Sequence, residues 1–337
     1  MGTTLADIAE KAGVSQATIS RVINGKPGVS DEKRESILQL MSAMGLPTPP
    51  PRRNDTQLVA LISPDLTNAI FPTFVNTLCP MFAQSRILPV LCVYTFAGVA
   101  ESAFIDMLHE LPLYGAVFLA GSYDNNGTDH TIYQPLVDRG VPTVFLNGPS
   151  RDVDGLYLQT DVAAGMRMTL RHLINLNHHD IGFILGDRTH LPALAMHEAA
   201  ISFFREYGIP HRPELTSWTL YGIEAGRAAA ADLLDKGVTA IVCANDQLAV
   251  GAIQAAQARG LRVPDDISVT GYDDSPLALQ SSPSLTTVRQ PVATICQAIV
   301  QNLNTMANNP EIASQRRSLT FQPELIGRNS TAMCARE

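Results

Sequence analysis

The chain has 337 residues, a formal net charge of −8, 45% hydrophobic residues and five cysteines. That length suits a small module joined to a larger body, and the apolar fraction is ample for a buried core. The acidic balance leaves no strong basic stripe, and no apolar run reaches the roughly eighteen residues of a membrane span.

No charged segment followed by an apolar stretch opens the chain, which argues against a signal peptide. The cysteines (Cys79, Cys92, Cys243, Cys296, Cys334) are odd in number and scattered. That pattern suggests reduced thiols and a cytoplasmic location.

Residues 4–24 read TLADIAEKAGVSQATISRVIN and predict two short helices joined by a tight Ala-Gly-Val-Ser turn. Thr4 is placed to cap the first helix. Asp7 three positions later gives a capping-box spacing and puts a carboxylate at the positive helix end. Leu5, Ile8, Ala9 and Ala12 fall on one apolar face. Gly13 suits the left-handed end of this helix. Val14 turns inward, and Ser15 caps the second helix, whose Ile19, Val22 and Ile23 face the core. Gln16, Ala17, Thr18, Ser20 and Arg21 are left for its outer and flanking faces. A third helix follows, with Ser30 as cap, Ile37, Leu38, Met41 and Met44 as its buried stripe, and Gly45 at its end.

Three helices within about fifty residues, two of them joined by so short a turn, describe a helix-turn-helix domain over residues 1–46. Such a module fits a DNA major groove. A small structural bundle is the plainer alternative. Residues 1–55 hold seven Lys/Arg against six Asp/Glu, a balance of +1 in a chain that totals −8. Phosphate contacts then fall largely to backbone amides, hydroxyls and helix N-termini, and tight binding needs two copies on one duplex.

A linker spans residues 47–57. The segment LPTPPPRRNDTQ holds four prolines, which predicts an extended chain. Beyond it, strand-like runs at 58–63, 88–94, 115–120, 143–146, 181–185, 240–244 and 267–271 alternate with helical stretches at 165–175, 195–207, 224–236 and 248–259. This alternation predicts an α/β body of two lobes, each a parallel doubly wound sheet. A ligand cleft then lies at the carboxyl ends of the strands.

The segments AGVSQATISRVINGKPGVSDEKRESIL, VCANDQLAVGAIQAAQARGLRVPDDISVTGYDDSPLA, LTTVRQP and IGRNST resemble, in order, those of the lactose-repressor (LacI/GalR) family of transcription regulators. The resemblance covers essentially the whole chain. It implies a periplasmic-binding-protein-like core over residues 58–331, with one lobe at 58–160 and 290–317 and the other at 161–289 and 318–331. It also implies a homodimeric repressor of double-stranded DNA, with a small effector in the cleft shifting operator affinity.

Carried over residue by residue, Gln16 and Ala17 take the positions that choose base pairs. Glutamine can bond adenine in bidentate fashion, and alanine offers a methyl contact. Arg21 is similar to an arginine that contacts guanine or phosphate. Thr4, Ser15, Thr18, Ser20, Asn24 and Ser30 match positions on the DNA backbone, with capping or solvation as the plain reading of Thr18, Ser20 and Ser30. The linker departs from the family: Leu46 replaces a tyrosine, and no hinge leucine is visible. A weak or absent minor-groove wedge is therefore expected, with Arg52 and Arg53 either substitute phosphate contacts or merely solvated charges.

For the effector, the resemblance implies Ile70 and Phe71, Asn147, Asn245 and Asp273. Tyr221 takes the place of a stacking aromatic, with Trp218 close by. Aromatic stacking with Asn and Asp groups suits a sugar or nucleoside-like ligand. Core packing is the plain reading of Phe71 and Tyr221, and Asp246 is a candidate helix cap. His197 stands where the family has an arginine, so either a different ligand or a structural histidine is implied.

No phosphate loop, GxSxG elbow, CxxC or HExxH is present, so neither an enzyme nor a cofactor is expected. His172, His178 and His179 lie close in sequence, but His178 matches a structural histidine. Asp265, Asp266, Asp273 and Asp274 resemble a cation site within ordinary strand flanks; no metal is expected. Two other functions stay open: a small-molecule-binding protein with weakened DNA binding, and a co-repressor-dependent or activating regulator.

Overall fold

The computed structural model describes residues 5–24, 26, 28–44, 57–95, 98–148, 150 and 152–335. Thr4, Gly45 and the linker residues 46–56, with Arg52 and Arg53, lie outside the described residues. The chain divides into two units, residues 1–57 and 58–337.

The first unit contains α1 (Leu5–Ala12), α2 (Gln16–Ile23) and α3 (Asp31–Ala43). Ile8, Ala9, Ile19, Val22, Ile37 and Met41 form its core, with Ala12, Val14, Ile23, Leu38 and Met44 packed against it. This is the burial that a helical period requires. Gly13 ends α1 at φ +63°, a conformation open to glycine for want of a Cβ. The Val14 amide then bonds back to the Ala9 carbonyl at 3.0 Å.

The boundary falls at the first residue of β1 (Gln57–Ser63), and the second unit goes on with α4 (Ile70–Gln84), β2 (Ile87–Val93), α5 (Glu101–His109) and β3 (Leu113–Phe118). It continues with α6 (Gln134–Asp138), β4 (Thr143–Leu146) and β5 (Leu156–Thr160). The chain then enters a second lobe: α7 (Val162–Asn175), β6 (Ile181–Leu185), α8 (Leu191–Glu206), β7 (Thr216–Trp218) and α9 (Ile223–Asp235). That lobe goes on with β8 (Ala240–Cys243), α10 (Asp246–Ala258), β9 (Ser268–Asp273), α11 (Pro276–Gln280) and β10 (Thr286–Arg289). Last come α12 (Val292–Asn308), α13 (Pro310–Ala313), β11 (Arg317–Phe321) and β12 (Glu324–Ile326).

These strands form two six-stranded sheets, ordered β11-β5-β4-β3-β1-β2 and β12-β10-β9-β8-β6-β7. In the first, β1 pairs parallel with β3, β3 with β4, β4 with β5, and β5 with β11. In the second, β7, β6, β8, β9 and β10 pair parallel in succession, and β12 runs antiparallel to β10. Strands such as β1, buried from Val59 to Ser63, suit a sheet covered by helices on both faces. The α12 side chains Ile295, Ile299 and Leu303 pack into the core of the first sheet, so the chain crosses between lobes after β5, after β10 and after β11.

The sequence division at 317/318 differs from the structure here. β11 hydrogen-bonds to β5 through Phe321, so the first lobe extends past 317. Among the described residues no helix is long and apolar enough to cross a membrane. No disulfide links the cysteines among the described residues, and burial pushes the Cys296 thiol up to about 12.

Candidate functional site

On α2 the buried Ile19 and Val22 set the opposite face. Gln16, Ala17 and Arg21 are exposed, Ser20 is half-buried and Asn24 is exposed. At the helical period these positions form one solvent-facing stripe, with Thr18 at its flank. Ser15 caps the helix: its Oγ accepts from the Thr18 amide at 3.1 Å and lies 2.9 Å from the Thr18 hydroxyl. Asn24 closes the other end, donating from Nδ2 to the Ser20 carbonyl at 2.8 Å. Ser30 is exposed just before α3, and its carbonyl accepts from the Arg34 amide at 2.9 Å. Arg34 donates to the carbonyls of Val22 and Lys26, locking α3 to the chain that leaves α2.

In the second unit the loops at the carboxyl ends of both sheets meet. Asp124, buried to 1% exposure, follows β3 and lies 3.0 Å from His190 Nε2 of the other lobe. Its second oxygen accepts from Asn147 Nδ2 at 3.1 Å. Asn147 follows β4 at φ +73°, in the left-handed region that asparagine tolerates better than most residues. The Tyr221 hydroxyl comes within 3.5 Å of His190 Nδ1 and packs against Gly186. The lobes also touch elsewhere: Asn125 bridges to His190, the Asn126 amide donates to the Thr189 carbonyl at 2.7 Å, and Gln247 Nε2 donates to the Thr67 carbonyl at 2.9 Å.

Asn245 sits 2% exposed at the start of α10. Its Oδ1 accepts from the Leu248 amide at 2.9 Å, which makes it the N-cap. Its Nδ2 is buried and finds no partner among the described residues. The sequence reading of Asp246 as the cap is thereby corrected: Asp246 belongs to the first turn of the helix. Its carboxylate accepts instead from Thr287 Oγ1 at 2.6 Å and the Ser275 amide at 2.7 Å. Burial, against those hydrogen bonds, raises its carboxyl to about 6. Asp273, at the end of β9, is also buried and held well above the ordinary carboxylate range by burial and by Asp246. Gln290 Nε2 donates to it at 2.7 Å.

The remaining expected effector residues lie apart from this group. Ile70, 5% exposed, packs in the first-lobe core, and Phe71 leans on the same core. His197 and Trp218 meet one another, ring centroids 5.0 Å apart, beside His211 and under Arg188. That cluster flanks the edge strand β7. Burial lowers the His197 imidazole, and His211 and Arg188 lower it further.

Asp124, His190, Gln247 and Gln290 were not anticipated. Gln247, in the first turn of α10, and Gln290, just after β10, lie inside the family segments VCANDQLAV and LTTVRQP without having been singled out; Asp124 and His190 stand in loops that no residue pattern marks.

The other clusters are structural. His178 bonds Thr239 Oγ1 and the Ala332 carbonyl, and His172 bonds Thr331. Asp265 and Asp266 pair with Arg262, and Asp274 pairs with Arg289 and Arg328. Cavities of 170 and 430 Å3 elsewhere on the second lobe contain none of the candidate effector residues.

Residues 4–46 match the bacterial regulatory proteins of the lacI family, and residues 170–331 match the periplasmic binding protein-like domain. The chain is 39% identical to the HTH-type transcriptional regulator reg1 of Streptomyces lividans, over 98% of this chain and 97% of that protein. The chain belongs to the LacI family. It is a DNA-binding transcriptional regulator, as its relatives are. HTH-type transcriptional regulator MalR of Streptomyces coelicolor is 38% identical over 98% of the chain and 97% of its own length. Among solved structures, the transcriptional regulator CelR–cellobiose complex superposes with a TM-score of 0.72 at 26% identity, covering 98% of this chain and all of that one. A lac repressor dimer bound to operator and the anti-inducer ONPF shares the fold, with a TM-score of 0.73 at 24% identity.

Proposed function

We propose that this LacI-family regulator is a cytoplasmic, homodimeric repressor. Its grip on an operator changes when an uncharged polyhydroxy effector, a sugar or nucleoside-like molecule, enters the cleft between its lobes. Gln16 and Ala17 read base edges, while Arg21 and the α2 hydroxyls and amides hold the backbone.

The observation that carries the effector reading is Asn245 Nδ2. A buried amide donor without a partner costs about 1–3 kcal/mol, and a ligand oxygen removes that cost. Asn147, Asp273 and Tyr221 come from strand ends of the two sheets and supply acceptors, a donor and an aromatic face. The buried Asp124 carboxylate disfavours an anionic ligand, and the raised Asp273 carboxyl offers a neutral donor and acceptor. The transcriptional regulator CelR, which shares this fold, is in complex with cellobiose, a neutral sugar.

Thermal-shift measurement against a panel of neutral sugars, nucleosides and sugar phosphates tests this, because a ligand that binds the folded body raises its apparent stability. Gel shifts with the same ligands then read the operator. The reading fails if only sugar phosphates stabilise the protein, or if a stabilising ligand leaves operator affinity unchanged.

A further inference from the structure

The contact between Asp124 and His190 joins the two lobes. Asp124 is nearly inaccessible, while His190 is 22% exposed. The carboxylate receives a neutral amide from Asn147 in its own lobe. The cationic partner recorded for it among the described residues is the imidazole of the other lobe. Around this pair the backbone itself pairs across the cleft, through the Asn125–His190 bridge and the Asn126-to-Thr189 bond.

We propose that Asp124 and His190 form a proton-dependent latch that holds the cleft closed in the effector-free protein. The latch stands whether or not the cleft takes a sugar. Protonated His190 donates Nε2–H to Asp124 as a charge-assisted hydrogen bond, about twice as strong as a neutral one. When His190 loses its charge, the buried carboxylate keeps only neutral donors, and a buried charge without an opposite charge is costly.

The groups that face His190 are Asp124 from the first lobe, Asp187 from its own loop, and the Tyr221 hydroxyl from the loop after β7. Arg188, on the same loop, lies over Trp218. Behind Asp124 the Glu101 carboxylate accepts from Tyr133 and from Ser122. Burial lowers the His190 imidazole, but Asp124, by charge and hydrogen bond, and Asp187 outweigh it, so its pKa stands above the ordinary value.

The sign follows. The closed form binds the proton more tightly than an open form with a free histidine near about 6.5. Closure is therefore fully favoured below that value and is lost as pH rises through the raised one. A closed cleft must open to admit a ligand, so alkaline pH raises the fraction ready to bind.

Amide hydrogen exchange on the full chain without effector, corrected for the intrinsic pH dependence of exchange, reads the latch directly. The segments are 122–128 and 187–192, with strand β8 as an internal reference. In the parent protein, protection of both segments should fall by roughly tenfold between pH 6 and pH 8.5, on the scale of a lost charge-assisted bond. His190→Gln keeps a side-chain donor without a titratable charge. It should show weak protection at both pH values with β8 unchanged, and Asp124→Asn should do the same. Flat protection in the parent overturns the proposal. So does a pH dependence that persists in His190→Gln, because it would assign the titration to a group other than His190.

Discussion

The amide of Gln290 donates to the Asp273 carboxyl at 2.7 Å. The same side chain accepts from Thr160 Oγ1 at 2.9 Å. One residue thus ties a group of the candidate cleft to two of the three crossings between lobes.

Replacing Gln290 by Leu removes both bonds inside the body. A destabilisation of about 1–3 kcal/mol is expected, seen as a lower urea midpoint at unchanged slope. A midpoint equal to the parent's would show that this bridge contributes nothing.

Asn245 combines two roles that substitutions separate. Asn245→Ala loses the α10 cap and should cost about 0.5–2 kcal/mol of stability. Asn245→Ser retains a capping oxygen but lacks the buried Nδ2 donor. Its stability without ligand should stay close to the parent's, while its ligand-induced thermal shift shrinks or vanishes. A full ligand response in Asn245→Ser would remove Nδ2 from the binding site.

Asp246 makes a pH prediction. Its folded carboxyl is raised to about 6, above the ordinary value near 3.9. Between those values the folded protein holds more protons than the unfolded one. The contribution to stability is present below about pH 4 and is lost as pH rises through about 6. Asp246→Asn should flatten the stability profile over that window relative to the parent. Urea denaturation at half-unit pH steps measures it; parallel profiles in the two proteins would refute the assignment.

On α2, Gln16→Ala should relax preference at one base pair of the operator by about 1–3 kcal/mol. Binding to a library of single-substituted operators reads this. Equal losses at every operator variant would instead make Gln16 a backbone contact.

The linker, whose structure lies outside the described residues, makes a prediction from its sequence. Four prolines between Leu46 and Gln57, without a hinge leucine, leave nothing to wedge into the minor groove. A circular-permutation assay should find little operator bending; a sharp central kink would contradict it.

The head was legible in sequence because helical spacing and capping are local. Ile19, Val22 and Ser15 took the places that periodicity and hydroxyl chemistry demand. Several strands were not legible. β11 (RSLTF) has three exposed residues at its centre, so burial writes no apolar run into it. β7 is only three residues long. The α4 helix carries Pro80 inside it, which masks a helical signal. Family motifs name Asn245 and Asp273 as effector candidates, whereas Asp124 and His190 meet only after folding. Their partnership spans 66 positions in the numbering, and no local pattern encodes such a meeting. Ile70 and His197 show the converse, since motif position named them but their contacts are core and ring packing.

The last two strands join different sheets: β11 closes an edge of the first and β12 an edge of the second. They are separated only by Gln322 and Pro323. Neither lobe is therefore a continuous piece of chain. A premature stop codon before residue 317 would strip an edge strand from both lobes at once. For the same reason, swapping one lobe between related regulators requires splices on both sides of several crossings, and a single junction cannot accomplish it.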